Sequence, residues 1–512
     1  MSVDATARRR SLTTNSLLSL IAWVFPILLG FISTPILVAK LGSEQYGLFA
    51  VVLGIISYSF TFGIGKIAGK YVPELQALGE SVKVTETIAA TFWLSLAIGF
   101  VGLIALLLTA PLIVSDVLVI SPELQQLAVY SLYLAGAIGL VMMLSQVFQF
   151  VLQGLHRFDN YLVLTNLNAL LIGVGNIFLA ISGFGVATLF AWNLVVVSIT
   201  AVLFYLRAAH LLPAIRFVTP LPRPIVSTVA RYAGNIILYQ IFANVLFIFE
   251  RSWIVRRFGA EALTYYVVPM LLAIYMHGFM ASAVQAIFPV VNELLGDRKR
   301  LVEIYQRASK IIFVFVVFIV TNLIACGDVF LALWVSPALA SRSYQLLVPH
   351  SLSFGLIAMF IMVWQLAEAF KYPTMNVIIT ALWMSIGVPL MIIAAGIWQS
   401  EGVAWSRFVA VLVTFPIALY AEKRFLGKFH LRFWLALAAR VAAAALILFA
   451  VEILLLRALP VTWPALLLTG GLGTLAFALA LFVAGLFTAE DKRLARRLLL
   501  RRPSANPEES SN

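Results

Sequence analysis

Residues Val38 to Val52 read VAKLGSEQYGLFAVV, a polar turn carrying a Gly and a Glu between two long apolar runs. The pattern returns 217 residues later, where Val255 to Pro269 read VRRFGAEALTYYVVP. Gly42 then stands over Gly259, Glu44 over Glu261, and Lys40 over Arg257. Because internal duplication decides architecture before any single residue is interpreted, the rest of the chain is read for segments that recur at the same spacing.

Such segments recur in order. LGE at Leu78 to Glu80 matches LGD at Leu295 to Asp297, and ISPEL at Ile120 to Leu124 matches VSPAL at Val335 to Leu339. HRFDN at His156 to Asn160 takes the place of FKYPT at Phe370 to Thr374, and GVA at Gly185 to Ala187 repeats at Gly402 to Ala404. The spacings vary only between 214 and 217 residues, which implies duplication of one unit.

The unit is a membrane unit. Hydrophobic residues make up 62% of the chain, charged residues 11%, and the mean hydropathy is +1.02. No water-soluble fold of 512 residues carries that composition, so the chain is polytopic. Its apolar runs do not alternate with period two, which predicts helices rather than barrel strands. The expected spans lie near 16–39, 45–65, 86–110, 126–151, 161–182, 186–206, 233–254, 261–290, 310–331, 346–370, 374–397, 402–420, 433–457 and 463–487. The fold class expected is therefore all-α, with about fourteen transmembrane helices.

Six spans separate the copies, an even number, so both keep the same orientation. The two six-helix lobes are parallel repeats about a pseudo-two-fold axis along the membrane normal, with the working cavity between them. The expected division is residues 1–210 for the first lobe, 211–228 for a cytoplasmic linker, 229–430 for the second lobe, 431–489 for accessory helices 13 and 14, and 490–512 for a basic tail whose end is disordered. All but seven of the 35 Lys and Arg fall on one side of this topology. The exceptions are Lys40, Arg251, Arg256, Arg257, Arg342, Arg407 and Arg457. That asymmetry places both termini in the cytoplasm. The net charge of +13 is accordingly read as membrane orientation and not as nucleic-acid binding.

Enzyme signatures are missing. GIGKIAGK at Gly63 to Lys70 looks like a phosphate loop, but Ile64 and Tyr71 occupy positions that need Gly and Ser or Thr. The five histidines, His156, His210, His277, His350 and His430, have no ligand spacing, and the single cysteine, Cys326, excludes a Cys-based metal site. No cofactor and no catalytic residue is expected. Polar side chains inside apolar spans carry the functional signal instead, because they are costly there. Glu250 and Arg251 lie roughly 12 to 14 Å below the second turn at helical rise. Neighbours in sequence point about 100° apart, so the two are poor partners for each other. Arg251 is a cavity candidate for binding an anionic group, and Glu250 either pairs elsewhere or takes up a coupling ion. An inter-helix salt bridge is the plainer alternative for both. His277, near mid-depth, is a proton-relay candidate or a buried hydrogen-bonded histidine. Gln240 and Asn244 share a helix face with the chance to line a hydrated path, and Arg407 is a further cavity candidate. Lys66, Lys70 and Arg231 form an inner-edge cationic set that could receive a phosphate or simply anchor the chain to the headgroups.

Taken together, PILVAKLGSEQYGLFAV at Pro35 to Val51, ERSWIVRRFGAEALTYYVV at Glu250 to Val268, AIFPVVNELLGDRKRLVEIY at Ala286 to Tyr305, and GVA at Gly402 to Ala404 resemble the O-antigen (Wzx-like) polysaccharide-biosynthesis flippases of the multidrug/oligosaccharidyl-lipid/polysaccharide exporter superfamily. The resemblance covers about residues 10 to 425, with Glu250 where the family's acidic-Arg pair usually has Asp. It implies translocation of an undecaprenyl-pyrophosphate-linked oligosaccharide from the cytoplasmic to the periplasmic leaflet of a bacterial inner membrane. It also implies alternating access of two lobes in a monomer, driven by an ion gradient or by substrate flux, with membrane lipids, a polysaccharide polymerase and glycosyltransferases as candidate partners. A lipid II flippase, a drug or cation antiporter of the same superfamily, and a non-transporting scaffold of a glycan assembly complex remain as alternatives.

Overall fold

The computed structural model describes residues 12–60, 63–212, 215–217, 219–285, 291–292, 294–372 and 374–486. The basic tail expected at 490–512 lies outside them. Among the described residues the chain is helical, with no strand. The helices are α1 (Leu12–Ser59), α2 (Lys66–Ala77), α3 (Ser81–Leu112), α4 (Pro122–Gly154), α5 (Phe158–Ile181), α6 (Val186–Leu211), α7 (Arg223–Gln285), α8 (Arg298–Trp334), α9 (Pro337–Met359), α10 (Ile361–Ala369), α11 (Thr374–Val411), α12 (Thr414–Ala421), α13 (Leu431–Ala458) and α14 (Trp463–Val483).

Local chemistry sets the boundaries. Pro122, Pro337 and Pro464 sit in the first turns of α4, α9 and α14, where a missing N–H leaves no intrahelical bond unmade. Asp297 caps α8 by accepting from the Arg300 N–H at 3.1 Å, and the Ser336 hydroxyl caps α9 through the Leu339 N–H at 3.2 Å.

Among the described residues, eleven helical stretches are long and apolar enough to cross a membrane. Three of them, Val24–Ser59, Gln240–Val284 and Thr374–Leu426, each take in two of the expected spans. Each is broken inside. Gly42 (φ 78°, ψ 161°) interrupts α1, Gly259 (φ 85°, ψ 169°) interrupts α7, and Trp398 and Gln399 interrupt α11. These breaks fall where the sequence places turns between spans. Lys66 and Lys70 lie just beyond the expected second span, on a short helix of their own, α2. The expected tenth span falls in the stretch Pro337–Ala369, which bends at Phe360 between α9 and α10.

The helices form two lobes. In the first, α1 packs on α4, α5 and α6, α3 on α4, and α4 on α6; in the second, α7 packs on α9 and α11, and α8 on α9. The lobes meet chiefly along α1 and α7. One apolar cluster runs through both, including Leu48, Val52, Ile254, Leu263 and Val268. A separate cluster of Leu437, Val441, Leu448 and Phe477 seats α13 and α14 on Val317 and Phe318 of α8. At one end of the lobe interface the two glycine turns touch, with the Thr264 hydroxyl donating to the Ser43 carbonyl and the Ser43 hydroxyl 3.4 Å from Glu261 Oε1. At the other end Tyr71 and Tyr232 meet edge to face at 6.0 Å, with Lys70 Nζ 5.0 Å from the Tyr232 ring.

Candidate functional site

Between these two contacts lie three adjoining cavities. The central one, about 390 Å³, is walled by α1, α5, α6 and α7 and lined by Ser33, Thr34, Tyr46, Ser57, Tyr58, Asn176, Asn193, Arg251 and Tyr275 among others. A second, about 410 Å³, opens into the second lobe and is lined by Tyr58, Asn244, Phe247, His277, Phe354, Trp364 and Trp383. The third, about 550 Å³, lies within the first lobe and reaches Lys66 and Gln240. Tyr58 is common to the first two cavities, and Leu53, Ser57, Ile172 and Asn193 to the first and third.

Among the described residues, Arg251 is the one formal charge lining the central cavity. Its residue is 6% exposed, its guanidinium lies 5.0 Å from the Tyr58 ring centroid, and its aliphatic stem packs against Gly54. Glycine at position 54 leaves room for that stem; any larger side chain would push it aside. Among the described residues, Nε and Nη1 of Arg251 are buried with no hydrogen-bond partner. A desolvated guanidinium with unmade hydrogen bonds costs several kcal/mol, about 1–3 for each unmade bond and more for a charged group. Arg251 lines the cavity, so a turn of its side chain would bring those nitrogens to an anion there. The same cavity holds two buried acceptors without donors, Asn176 Oδ1 and Asn193 Oδ1.

Glu250 points the other way. It is fully buried and accepts from Arg407 Nε at 2.9 Å, with Arg407 Nη2 and the Tyr266 hydroxyl also on its carboxylate. Arg407 in turn is 1% exposed and lies beside two rings, 4.4 Å from the Phe247 centroid and 5.4 Å from that of Phe354. Arg407, expected at the cavity, is thus locked to Glu250, which has found the partner elsewhere that the 100° separation from Arg251 requires. His350 completes the cluster, its ring 4.5 Å from that of Tyr266.

The remaining expected residues are spread along the cavities. His277 is half-buried on the wall of the second cavity. Asn244 lines that cavity while donating to the Tyr58 carbonyl at 2.8 Å, and Gln240 lines the third cavity with its amide 3.4 Å from Asn244 Oδ1. Lys66, Lys70 and Arg231 are exposed at the Tyr71–Tyr232 end, and of the three only Lys66 lines the third cavity. Sequence reasoning missed Tyr58, Asn176, Asn193 and Tyr275 at the central cavity and Tyr266 and His350 beside Glu250. Asn176 and Asn193 carried a usable signal, since each interrupts an apolar run in mid-helix. The aromatic residues carried none, being as common in cores as in sites.

The fold has known counterparts. A lipid II flippase, MurJ, in an inward closed conformation superposes with a TM-score of 0.73 at 14% identity, covering 94% of this chain and 100% of that one. A multidrug resistance MATE family transporter of the MOP superfamily, in an inward-facing conformation, gives 0.65 at 19% identity over 79% of this chain and 98% of its own. A MOP superfamily transporter from Pyrococcus furiosus, described by the reverse polarity of its binding pocket, gives 0.59 at 18% over 81% and 96%. Comparison with curated proteins finds no match. Residues 12–295, more than half of the sequence, match the family described as polysaccharide biosynthesis protein, and the chain belongs to that family.

Proposed function

We propose that this protein is a flippase that carries a lipid-linked oligosaccharide across the membrane by alternating access, with the pyrophosphate of an undecaprenyl-pyrophosphate carrier meeting Arg251. The observation that carries the reading is Arg251, which lines a cavity between the lobes and whose buried guanidinium leaves two nitrogens unpartnered among the described residues. Membership of a polysaccharide-biosynthesis family supports a glycan as cargo. The three cavities have no carboxylate among their lining residues. That disfavours a cation antiporter, whose cavity needs an acid, and Glu250 is already neutralised by Arg407. In this reading the Gly42 and Gly259 turns face the periplasm, Lys66, Lys70 and Arg231 guide the phosphate from the cytoplasmic leaflet, and both termini are cytoplasmic in a bacterial inner membrane. Residues 1–210 and 229–430 are the moving lobes, 211–228 is the linker, and 431–489 is an accessory pair.

The test is a leaflet-translocation assay in proteoliposomes with a fluorescent polyprenyl-pyrophosphate oligosaccharide. Arg251→Ala should slow transfer about 10- to 100-fold, the value of one or two hydrogen bonds to a charged group. Undiminished transfer by that variant would remove the basis of the reading.

A further inference from the structure

The cavity inside the first lobe differs in chemistry from the one that holds Arg251. About 550 Å³ in volume, it lies within the range of small-molecule sites, about 300–1,000 Å³. Its walls are unusual for helices of this hydropathy. The side-chain amides of Gln146, Gln149, Asn168 and Asn193 face it, with Phe150 contributing an apolar ring. Amides between membrane helices ordinarily serve as glue, bonding directly from helix to helix. Asn168 does so, accepting from the Thr200 hydroxyl at 2.9 Å, whereas Gln146, Gln149 and Asn193 line open volume. Gln149 donates to Ser145 on its own helix at 3.0 Å, and Asn193, 5% exposed, has its Oδ1 buried without a partner among the described residues.

We propose that this chamber binds a neutral, hydroxyl-rich sugar unit. Sugar hydroxyls both donate and accept, as amides do, so one ligand can satisfy the orphaned acceptor of Asn193 and the donors of Gln146 and Gln149 together. An aromatic face such as that of Phe150 suits the apolar face of a pyranose. The charge pattern sets the class. Among the described residues no carboxylate lines the chamber to hold a cationic ligand, and the one ionisable lining residue, Lys66, is exposed. An acidic sugar would therefore lose hydration at its carboxylate without gaining a buried cation. The chamber adjoins the central cavity through Leu53, Ser57, Ile172 and Asn193. This inference rests on the flippase reading for its arrangement: phosphate at Arg251, and the first sugars in the amide chamber.

Binding to the protein in nanodiscs would be measured for farnesyl pyrophosphate, for the same pyrophosphate bearing a neutral hexose trisaccharide, and for a counterpart in which one hexose is a uronic acid. The neutral glycan should add about tenfold in affinity over the sugarless pyrophosphate, the value of one to two hydrogen bonds. The double variant Gln146→Met, Gln149→Met should lose that increment and bind the sugarless pyrophosphate as the wild type does. Its melting temperature reports that the fold is kept. The uronic counterpart should bind no tighter than the sugarless ligand. A wild type that gains nothing from the glycan, an increment that survives the double variant, or an equal increment from the acidic glycan would each overturn the chamber assignment. Titration with the free neutral trisaccharide separates the two readings. Weak binding that the double variant abolishes upholds the chamber even if no pyrophosphate binds, whereas failure of pyrophosphate binding alone counts against Arg251.

Discussion

Arg407 and Glu250, 157 positions apart, close an ion pair inside the second lobe, with Arg407 Nε 2.9 Å from Glu250 Oε1. The pair joins α11 to α7, and both residues are within 1% of complete burial. Its consequence is a division of labour between two adjacent residues of one helix. Glu250 is consumed in holding the lobe together, and Arg251 is left over for the cavity.

Removing one member of a buried pair strands the other charge, at a cost of about 3–5 kcal/mol. Arg407→Met and Glu250→Gln should each lower thermal stability in detergent by that order. The double variant should recover a large part of it, since two neutral side chains leave no stranded charge. Arg251→Ala should not lower the melting temperature comparably, because the packing it loses on Tyr58 and Gly54 is offset by removing a buried guanidinium whose Nε and Nη1 make no hydrogen bond among the described residues. Comparable destabilisation by Arg251→Ala and Arg407→Met would contradict the division.

The accessory helices are tied down by one carboxylate. Glu422, 1% exposed, accepts from the Tyr305 hydroxyl at 2.9 Å, from the His430 N–H at 2.9 Å and from the indole N–H of Trp434. Three donors converge on it from α8, from the turn before α13, and from α13 itself. Glu422→Gln keeps the shape but replaces one acceptor oxygen with a donor facing donors, which should cost about 1.5–3 kcal/mol. Hydrogen exchange should quicken in 431–483 ahead of the two lobes. Uniform acceleration across the chain would show that the docking is not local to this residue.

Alternating access requires the two glycine turns to part. Ser43 and Glu261 touch at 3.4 Å across the lobe interface, and the chain's only cysteine, Cys326, is buried elsewhere. In a Cys326→Ser background, Ser43→Cys with Glu261→Cys should react with a short bifunctional thiol reagent and stop leaflet transfer, and reductive cleavage of the linker should restore it. Transfer that continues at full rate in the cross-linked protein would mean that this contact never opens.

How much of this was legible in the sequence follows from the range of each interaction. The turns could be read because their cause is local: a backbone with φ near +80° tolerates glycine and little else, so Gly42 and Gly259 mark their own positions. The breaks inside α1 and α7 follow from that local information, whereas the break inside α11 falls at Trp398 and Gln399, where no glycine marks it. The pairing of Glu250 with Arg407 was not legible, because nothing near either residue names a partner 157 positions away. Polarity flagged both as unusual, yet it could not tell a cavity from a neighbouring helix. Tyr58 was invisible for a further reason: it separates two cavities by packing on Phe247, ring centroids 5.1 Å apart, and a packed aromatic looks the same in any apolar run.

The equivalence of the two turns can be tested directly. At both glycines an added Cβ would meet nothing within 4 Å, so alanine introduces no clash and its whole cost is backbone strain. With φ 78°, ψ 161° and φ 85°, ψ 169°, both glycines occupy nearly the same region, one that side chains rarely enter and that costs about 1–3 kcal/mol. Gly42→Ala and Gly259→Ala should therefore destabilise by the same amount within that range. Leaflet transfer offers a second readout. If the turns act only as rigid corners, each variant should lower thermal stability with little change in transfer rate per folded molecule. A rate that falls for Gly259→Ala alone would instead make the second turn, eight residues beyond Arg251, a moving part of the transport cycle.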